Sequence, residues 1–448
     1  MRLFKFTLIG ITSWCLTPYL WSQSAFMKPA SGDLTFRHQD FVKDVGGNAG
    51  NRYWTDFNFS YDSKAPFQNS ELKIDTAARF NDASGFMFSI KEAQMTHIFE
   101  NSELSYGRVL VDWVEVDRIW GLGKINNRVN FDFFDPGQEG LTGIRFKHSF
   151  SRYLMLDVFA SYLHVPEMNP ALRIDSQNRS ISSRNPWAEA PERRASLDGS
   201  EFDIFYDVNE PSVRDIVLQE TIGLNLQFSP TEFIHLTGYY IRKPENNLTN
   251  TANLEIETTE FNAIVDVFPQ SYMHQVYGGQ LTGQFLEKTL DAYVSYVASR
   301  PGRKPAVDSQ FEQIDLGLAF QVERQDEEYL GTGFHWRPRE DFSLSIGYLS
   351  RISSFVRTSI LAKRPRWTQS VNMAFEWLAT DKLILSGDIK YDTVTFDRLY
   401  MFDLSYRMAQ RVRLSTGFNV IGTTEEADTF WAPFRTNDAV YAAVGYLF

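Results

Sequence analysis

The chain has almost no cysteine and, beyond its N-terminus, no long run of apolar residues. Its 448 residues include one cysteine, Cys15. No later stretch approaches the roughly 18 apolar residues that a membrane helix requires, which excludes a helical membrane protein. The 44 basic side chains are outnumbered by 56 acidic ones, so no basic face for nucleic acid is indicated. With 27 glycines and 17 prolines, a collagen-like or disordered chain is also excluded.

The first residues predict export. Arg2 and Lys5 precede an apolar run at 6–21, and small residues follow at 22–25. This order is typical of a secretory signal peptide, which we predict to span 1–24. Because Cys15 lies inside it, the mature chain would have no disulfide, thiolate metal ligand or cysteine nucleophile.

The rest of the chain, from about residue 25 to 448, alternates apolar and polar residues in blocks of about ten. Four blocks are clear: 72–80, 314–322, 383–391 and 412–420. Strands in soluble proteins average five or six residues, whereas a tilted strand that crosses a bilayer needs about 9 to 11. The polar faces carry several charges in succession, as a water-filled lumen allows. The pattern therefore predicts an all-β protein that forms a transmembrane β-barrel.

Short and long connections alternate along the chain. Aromatic residues flank the short ones, as in the girdles at membrane interfaces: Phe150 and Tyr153, Phe228 and Phe233, Phe268 and Tyr272, Trp336 and Phe342, and Trp377. The long ones are 112–141, 164–214, 242–254, 351–367 and 421–437. This asymmetry is typical of short periplasmic turns and long outer loops.

We expect a single antiparallel barrel of about 18 to 20 strands over residues 25–448, with both ends in the periplasm. Twenty strands would make 286–289 an outer loop and 299–310 a periplasmic turn. The first connection is short for an outer loop and the second is long for a turn, so one hairpin is open to question and 18 strands is the alternative.

The last strand supplies a family resemblance. Val440, Ala442, Val444, Tyr446 and Phe448 alternate to the final residue. This resembles the C-terminal signature of Gram-negative outer-membrane β-barrel proteins, of the porin-like superfamily. The resemblance implies an outer-membrane location and recognition by the barrel-assembly machinery, with Val444, Tyr446 and Phe448 as the assembly signal. No plug domain follows the signal peptide and no helical extension is seen, so a TonB-dependent transporter and an efflux duct are disfavoured.

The segment 107–143 is the first candidate site. Its Gly-Arg pair and tryptophans loosely resemble a region of several porin-like families. If this loop folds into the barrel, Arg108, Asp112, Asp117 and Arg118 could set the field of a constriction. The alternative is a packed outer loop whose tryptophans cap the rim and whose glycines serve turns.

Charges on the expected lumen faces form the second candidate site. The basic residues are Arg52, Lys73, Arg79, Arg145, Lys147, Lys382, Lys390, Arg407, Arg411 and Arg413. The acidic ones are Asp56, Glu71, Asp75, Asp315, Glu376, Asp388 and Asp403. This balance selects no ion preference. Lys382, Arg407, Arg411 and Arg413 could form a cationic inner mouth that attracts anionic solutes, or they could be ordinary solvated or paired wall charges.

Other charged loops and the histidines give weaker signals. The basic loop 351–367 could bind lipopolysaccharide phosphates and the acidic segment 323–328 could bind divalent cations, or both could simply be solvated. The sequence indicates no dedicated metal site and no cofactor. None of the seven histidines lies in a recognisable catalytic motif. His164 is the best placed for chemistry, but we expect no enzyme.

The sequence thus predicts a porin-like channel for passive diffusion of small hydrophilic solutes, with loops 112–141 and 164–214 setting the aperture. The alternative is a closed or loop-plugged barrel with a structural or surface-recognition role, in which loop 164–214 is the recognition surface. Loops that fill the lumen would favour this second interpretation. Expected partners are outer-membrane lipid and lipopolysaccharide, the assembly machinery, small solutes, and further copies of the chain in a trimer or larger ring.

Overall fold

The computed structural model describes residues 31–42, 53–64, 70–81, 85–134, 137–170, 172–183, 185–188, 190–197, 200–257, 261–302, 325–355, 364–424 and 428–448. The predicted signal peptide and the alternating block 314–322 lie outside these residues.

The described residues are mostly strands. Numbered along the chain, these are β1 (Ser31–Phe41), β2 (Tyr53–Lys64), β3 (Ser70–Asn81), β4 (Gly85–Ile98), β5 (Ser102–Val109), β6 (Asn127–Val129), β7 (Gly137–Glu139), β8 (Leu141–Ser151), β9 (Leu154–Ser161), β10 (Arg173–Asp175), β11 (Ser180–Ser182), β12 (Arg194–Leu197), β13 (Ser200–Val208), β14 (Thr221–Phe228), β15 (Ile234–Pro244), β16 (Thr249–Glu257), β17 (Asn262–Gln270), β18 (Met273–Phe285), β19 (Leu290–Pro301), β20 (Glu327–Arg339), β21 (Phe342–Arg351), β22 (Gln369–Thr380), β23 (Leu383–Asp392), β24 (Arg398–Arg407), β25 (Val412–Gly422) and β26 (Ala439–Leu447). The helices are α1 (Glu115–Trp120), α2 (Val213–Val217) and a 3-10 turn, Ala432–Phe434. None of these helices is long and apolar enough to cross a membrane.

Eighteen strands form one closed antiparallel barrel. They are all of the strands except β6, β7, β10 to β13, β16 and β17. Each pairs with the next barrel strand along the chain, and β1 pairs with β26 from Asp33 opposite Leu447 to Phe41 opposite Ala439. Because the first and last strands pair along their length, the barrel has no free edge.

The outside of the barrel is apolar, as the alternation predicts. In β1 the exposed large side chains are Leu34 and Phe36, and in β26 they are Val440, Val444 and Tyr446. Neighbouring positions on the same strands point inward. The barrel strands are 8 to 14 residues long, so the structure confirms the expected transmembrane β-barrel.

Glycine permits the closure beside the last residue. The backbones of Gly32 and Phe448 exchange two hydrogen bonds of 3.0 Å. A Cβ on Gly32 would lie 2.3 Å from the ring of Phe448, so a larger residue at position 32 would displace that ring. The predicted assembly-signal residues Val444, Tyr446 and Phe448 are all exposed on the outer face.

The two ends of the barrel differ. We call the end with the short connections, such as 152–153, 340–341 and 381–382, the turn end. It also holds Ser31 and Phe448, because β1 and β26 begin and end there. The opposite loop end carries the long connections 110–140, 162–220 and 245–272.

One hairpin explains the uncertain strand count. β16 and β17 pair with each other and, through β17, in parallel with β13, in a four-stranded sheet outside the barrel. The connection between Phe268 and Tyr272, expected in the periplasm, therefore lies at the loop end. The connection 286–289, which a count of 20 would place outside, is a turn at the turn end. The alternative of 18 strands is the correct one.

Candidate pore and plug

The loop between β5 and β8 enters the barrel. Within it, α1 lies across the lumen against the far wall, where the backbone N–H of Glu115 donates to Oε1 of Gln280 on β18 (2.8 Å). Val116 is fully buried and packs over Gly331 of β20, where a Cβ would lie only 2.3 Å from the valine methyl. We call the loop segment 110–134 the plug.

The plug is held in an apolar core that spans the loop end. Its own buried side chains include Trp113, Val116, Trp120, Ile125 and Phe133. Ten barrel strands supply inward-facing apolar residues near the loop end: Trp54, Phe159, Tyr239, Ile241, Val276, Val297, Tyr329, Leu349, Leu399, Ile421 and Ala439. All of these are less than a tenth exposed. These described residues form one close-packed apolar layer inside the barrel.

The long outer loop 162–220 closes over the plug. Trp187, 1% exposed, lies 5.1 Å from the ring of Phe133 and 5.0 Å from that of Phe134. The amide of Asn437 donates to the carbonyl of Pro186 (2.7 Å). Loops far apart in sequence therefore form one cap.

Between the plug and the turn end the lumen holds a cavity of about 540 Å³. It extends along the inner faces of β21 to β26, down to Ser343 and Glu376 near the turn end. Its charged lining is Arg37, Arg118, Arg128, Arg366, Lys390, Glu376, Asp388 and Asp403. The lining is thus partly polar and partly aromatic, and its charges are more cationic than anionic.

Arg366 is the most unusual of these cations. Its guanidinium lies 5.0 Å from the ring centres of Phe133 and Phe430 and 5.5 Å from that of Trp431, in cation–π contacts. It forms no ion pair with any described residue. Burial lowers the pKa of Arg366, and the positive charge of Arg128 adds to this effect.

The four residues predicted to form a constriction have different surroundings. Only Arg118 borders the cavity, where it pairs with Glu115. Arg108 pairs with the buried Glu139 (2.6 Å). The carboxylate of Asp117 is buried and accepts from the backbone N–H groups of two plug residues, while Asp112 is exposed. Arg108 and Asp117 therefore hold the plug loop in shape.

The backbone at position 107 requires the glycine of the Gly-Arg pair. Its φ is +117°, in a region that L-residues rarely adopt. A Cβ there would lie 2.2 Å from the carbonyl oxygen of Ala93. The glycine thus allows β5 to approach β4 while the next side chain, Arg108, reaches Glu139.

The predicted cationic mouth lies at the turn end. The backbone N–H of Arg407 donates to the carbonyl of Lys382 (2.7 Å), and the carbonyl of Arg411 accepts from Leu447 (2.8 Å). Arg413 is neutralised by Asp33 at 3.0 Å. Lys382, Arg407 and Arg411 are exposed and form no ion pair with a described residue.

Most of the other expected wall cations are paired. The pairs are Arg79 with Asp56, Arg145 with Asp157, Lys73 with Glu92, Lys147 with Glu103 and Lys390 with Asp388. Arg52 and Asp315 lie outside the described residues. The arrangement favours mutually paired wall charges over a field of free cations.

The charged outer loops also turn their side chains to partners within the chain. Arg364 pairs with Asp428, and Arg366 borders the cavity. In the acidic segment, Glu327 pairs with Lys124 (2.7 Å) and Asp326 with Arg300 (3.6 Å). The described residues contain no group of three or more potential metal ligands.

His164 is buried, not placed in a rim cleft. It is 3% exposed, and its backbone N–H donates to the carbonyl of Val217 (2.8 Å). Burial, with the nearby positive charge of Lys243, lowers the pKa of His164 to about 3. The imidazole is therefore neutral at physiological pH, and its Nε2 has no hydrogen-bond partner among the described residues.

Three charged residues of the plug and its surroundings could not be identified from sequence: Arg128, Glu139 and Lys243. All three are charged yet at most 5% exposed, because each meets a residue distant in sequence. Local alternation carries no information on such contacts.

These features define the class: a transmembrane β-barrel whose loop end is filled by its own loops. No family model and no curated protein matches the chain. It is similar in structure to OccAB3 of Acinetobacter baumannii, with 11% identity, 94% of this chain and 99% of that chain covered, and a TM-score of 0.47. The outer membrane protein OpdK of Pseudomonas aeruginosa gives 11% identity, 94% and 98% coverage and a TM-score of 0.47. A mutant of the Rh. blastica porin has 10% identity, with 94% of this chain and 99% of that chain covered and a TM-score of 0.41. At such low similarity, the fold assignment rests on the strand register of the chain itself.

Proposed function

We propose that the protein is a porin-like channel of the Gram-negative outer membrane for passive diffusion of small hydrophilic solutes. The observation that carries this proposal is the cavity of about 540 Å³, with eight charged side chains in its lining, inside a closed barrel with an apolar exterior. A barrel of 18 strands has a lumen wide enough for water wherever loops do not fill it. The cavity is the part of the lumen that the plug does not fill.

Solutes would cross in two stages. At the turn end, Lys382, Arg407 and Arg411 would bias which ions approach, because unneutralised cations concentrate anions. In the cavity, Arg118 and Arg366 face the solute path. The plug then sets the aperture at the loop end, so its position determines whether the path is continuous.

Single-channel recording in a planar bilayer tests this function. The full mature chain should give stable conductance steps, and a salt gradient should give a reversal potential whose sign reports the preferred ion. Folding is checked by the altered gel mobility of unheated barrel protein. Lasting silence from correctly folded protein would refute the channel.

The apolar core supports a second candidate, a plugged barrel with a surface-recognition role. Trp120, Trp187 and Trp431 are each 1% exposed, and the sheet of β12, β13, β16 and β17 stands outside the barrel as a possible recognition surface. A cysteine replacing Ser345 in the cavity separates the two functions. In vesicles with the loop end outward, a membrane-impermeant thiol reagent should modify it in an open channel and leave it unmodified in a permanently plugged barrel.

The remaining partners follow from the outer face. Val444, Tyr446 and Phe448 are available to the assembly machinery as an exposed aromatic strand end. The apolar wall suits outer-membrane lipid, with lipopolysaccharide as the outer neighbour. The same wall could pack against further copies of the chain in a trimer or larger ring, which crosslinking in native membranes would detect.

A further inference from the structure

A fully buried lysine holds the plug against the barrel wall. Lys243 is the second-last residue of β15 and is 0% exposed. Its Nζ donates to the carbonyl of Ile125 in the plug (2.5 Å) and to Oδ1 of Asn246. The amide of Asn246 in turn donates to the carbonyl of Asn126 (3.0 Å) and to that of Gly123. One wall segment thus binds three plug carbonyls.

A second link fixes the same part of the plug from another strand. Lys124 pairs with Glu327 at the loop end of β20 (2.7 Å). Glu327 also accepts from the hydroxyl of Tyr329 (2.9 Å). The plug segment 123–126 is therefore held by lysine contacts on two sides, to β15 and to β20. We call this segment the latch.

Burying a lysine at this position costs desolvation free energy. Removing an ammonium from water costs several kcal/mol unless its partners compensate, and the hydrogen-bond partners of Lys243 are amide oxygens instead of carboxylates. The adjacent inward positions on β15, Tyr239 and Ile241, are apolar and pack in the core. An apolar residue would pack equally well at position 243. We therefore attribute the lysine to its hydrogen bonds, which hold the plug in place.

The latch lies where plug movement would matter most. It connects α1, which crosses the lumen, to β6. On the other side of α1, the indole N–H of Trp113 donates to Asp157 of β9 (2.7 Å). Release of the latch would leave α1 attached to the wall through Trp113, the Glu115–Gln280 hydrogen bond and the packing of Val116 over Gly331, so its C-terminal end is the part that could move.

We propose that Lys243 is a positioning residue that keeps the plug seated, and that release of the latch opens the loop end of the pore. This inference rests on the proposed channel function. The closed, latched form is the one described above. Conduction then depends on the fraction of time for which the latch is released.

Two substitutions test the latch from opposite sides. Lys243→Met removes the ammonium, and Asn246→Ala removes the amide that binds Gly123 and Asn126. Both should raise single-channel open probability by roughly tenfold or more, the scale expected for the loss of two hydrogen bonds. Arg242→Met is the matched control, because that arginine is the preceding residue on β15 and forms an exposed ion pair with Glu220 (2.6 Å). It should leave open probability unchanged.

A reversible crosslink tests the same idea by replacing the Lys124–Glu327 ion pair with a covalent link. In a Lys124→Cys, Glu327→Cys double variant, a short bifunctional thiol reagent should join the plug to β20, and its cleavage should restore the free state. The only native cysteine is Cys15, in the predicted signal peptide, so labelling is confined to the two new thiols. Crosslinking should suppress conductance, and reduction should return it.

The outcomes separate the latch from the channel. If wild type, both latch variants and the crosslinked protein conduct alike, the latch inference fails and the channel stands. If none of the folded variants conducts, the proposed channel fails. If the wild type conducts in brief openings and the latch variants stay open for much longer, both inferences are supported. A variant that fails to fold is recognised by its gel mobility, and the crosslink result then decides.

Discussion

Replacing Gly107 with alanine should destabilise the barrel where β4 meets β5. The φ of +117° is strained for any residue with a Cβ, and the new atom would lie 2.2 Å from the carbonyl oxygen of Ala93. A carbonyl of a paired strand cannot rotate away without breaking the ladder. We expect a loss of roughly 2–4 kcal/mol, from about 1–3 kcal/mol of backbone strain and the displacement of the paired strand.

The assay is urea unfolding of the folded protein in lipid vesicles, followed by tryptophan fluorescence. Gly238→Ala is the matched control, because a Cβ there meets nothing within 4 Å. It should be neutral or stabilising by up to about 1 kcal/mol, since alanine costs less backbone entropy than glycine. If Gly107→Ala unfolds within about 0.5 kcal/mol of the control, the typical scatter of harmless surface changes, the strain argument is wrong.

Three further predictions concern buried or lining charges. Asp157→Asn should lower the free energy of unfolding by about 3 kcal/mol or more, because it leaves Arg145, whose side chain is 11% exposed, without its carboxylate partner. Glu103→Gln, at the partly exposed pair with Lys147, should lower it by less than about 1 kcal/mol; urea unfolding measures both. His164 has a folded pKa of about 3 against an ordinary 6.5, so only the unfolded chain is protonated between these values. Stability should therefore fall as the pH drops below about 6.5, and His164→Gln should flatten that dependence. Arg366→Gln should shift the reversal potential towards cation preference, and Lys390→Gln should shift it less because Asp388 already neutralises that lysine.

Each of these has a contradicting result. Equal unfolding free energies for the two carboxylate variants would show that the wall pairs contribute alike regardless of burial. A pH profile unchanged by His164→Gln would assign the acid sensitivity to carboxylates. A reversal potential that responds equally to both cavity substitutions would mean that solutes do not approach Arg366 more closely than Lys390.

The barrel strands could be predicted because their signal is local. In β23 the apolar face of Leu383, Leu385 and Ile389 alternates with polar neighbours, and the strand is ten residues long. The same local signal explains why the hairpin of β16 and β17 was counted among the barrel strands, although it belongs to a separate sheet. In β17, Ala263 and Val265 are buried on one face of the outer sheet, and a half-buried soluble strand has the same period of two as a membrane strand.

The candidate site was only partly predictable. The loop 112–141 was expected as a possible inward fold, and the structure places its core there. Of its predicted residues, Arg118 borders the cavity. Arg108 and Asp117 instead bind other residues of the same loop. No local rule distinguishes a charge that faces a solute from a charge that faces a buried partner, because the partner of Arg108 lies 31 residues away.

By itself, the sequence determined most of the barrel strands and the outward apolar face, because each depends on a period of two within one strand. The tertiary structure alone decided that the loop end is filled and where the cavity lies. These depend on contacts such as Lys243 with Ile125, 118 residues apart, and Asn437 with Pro186, 251 residues apart. The free energy of such contacts comes from burial that exists only after the barrel has closed and brought the loops together.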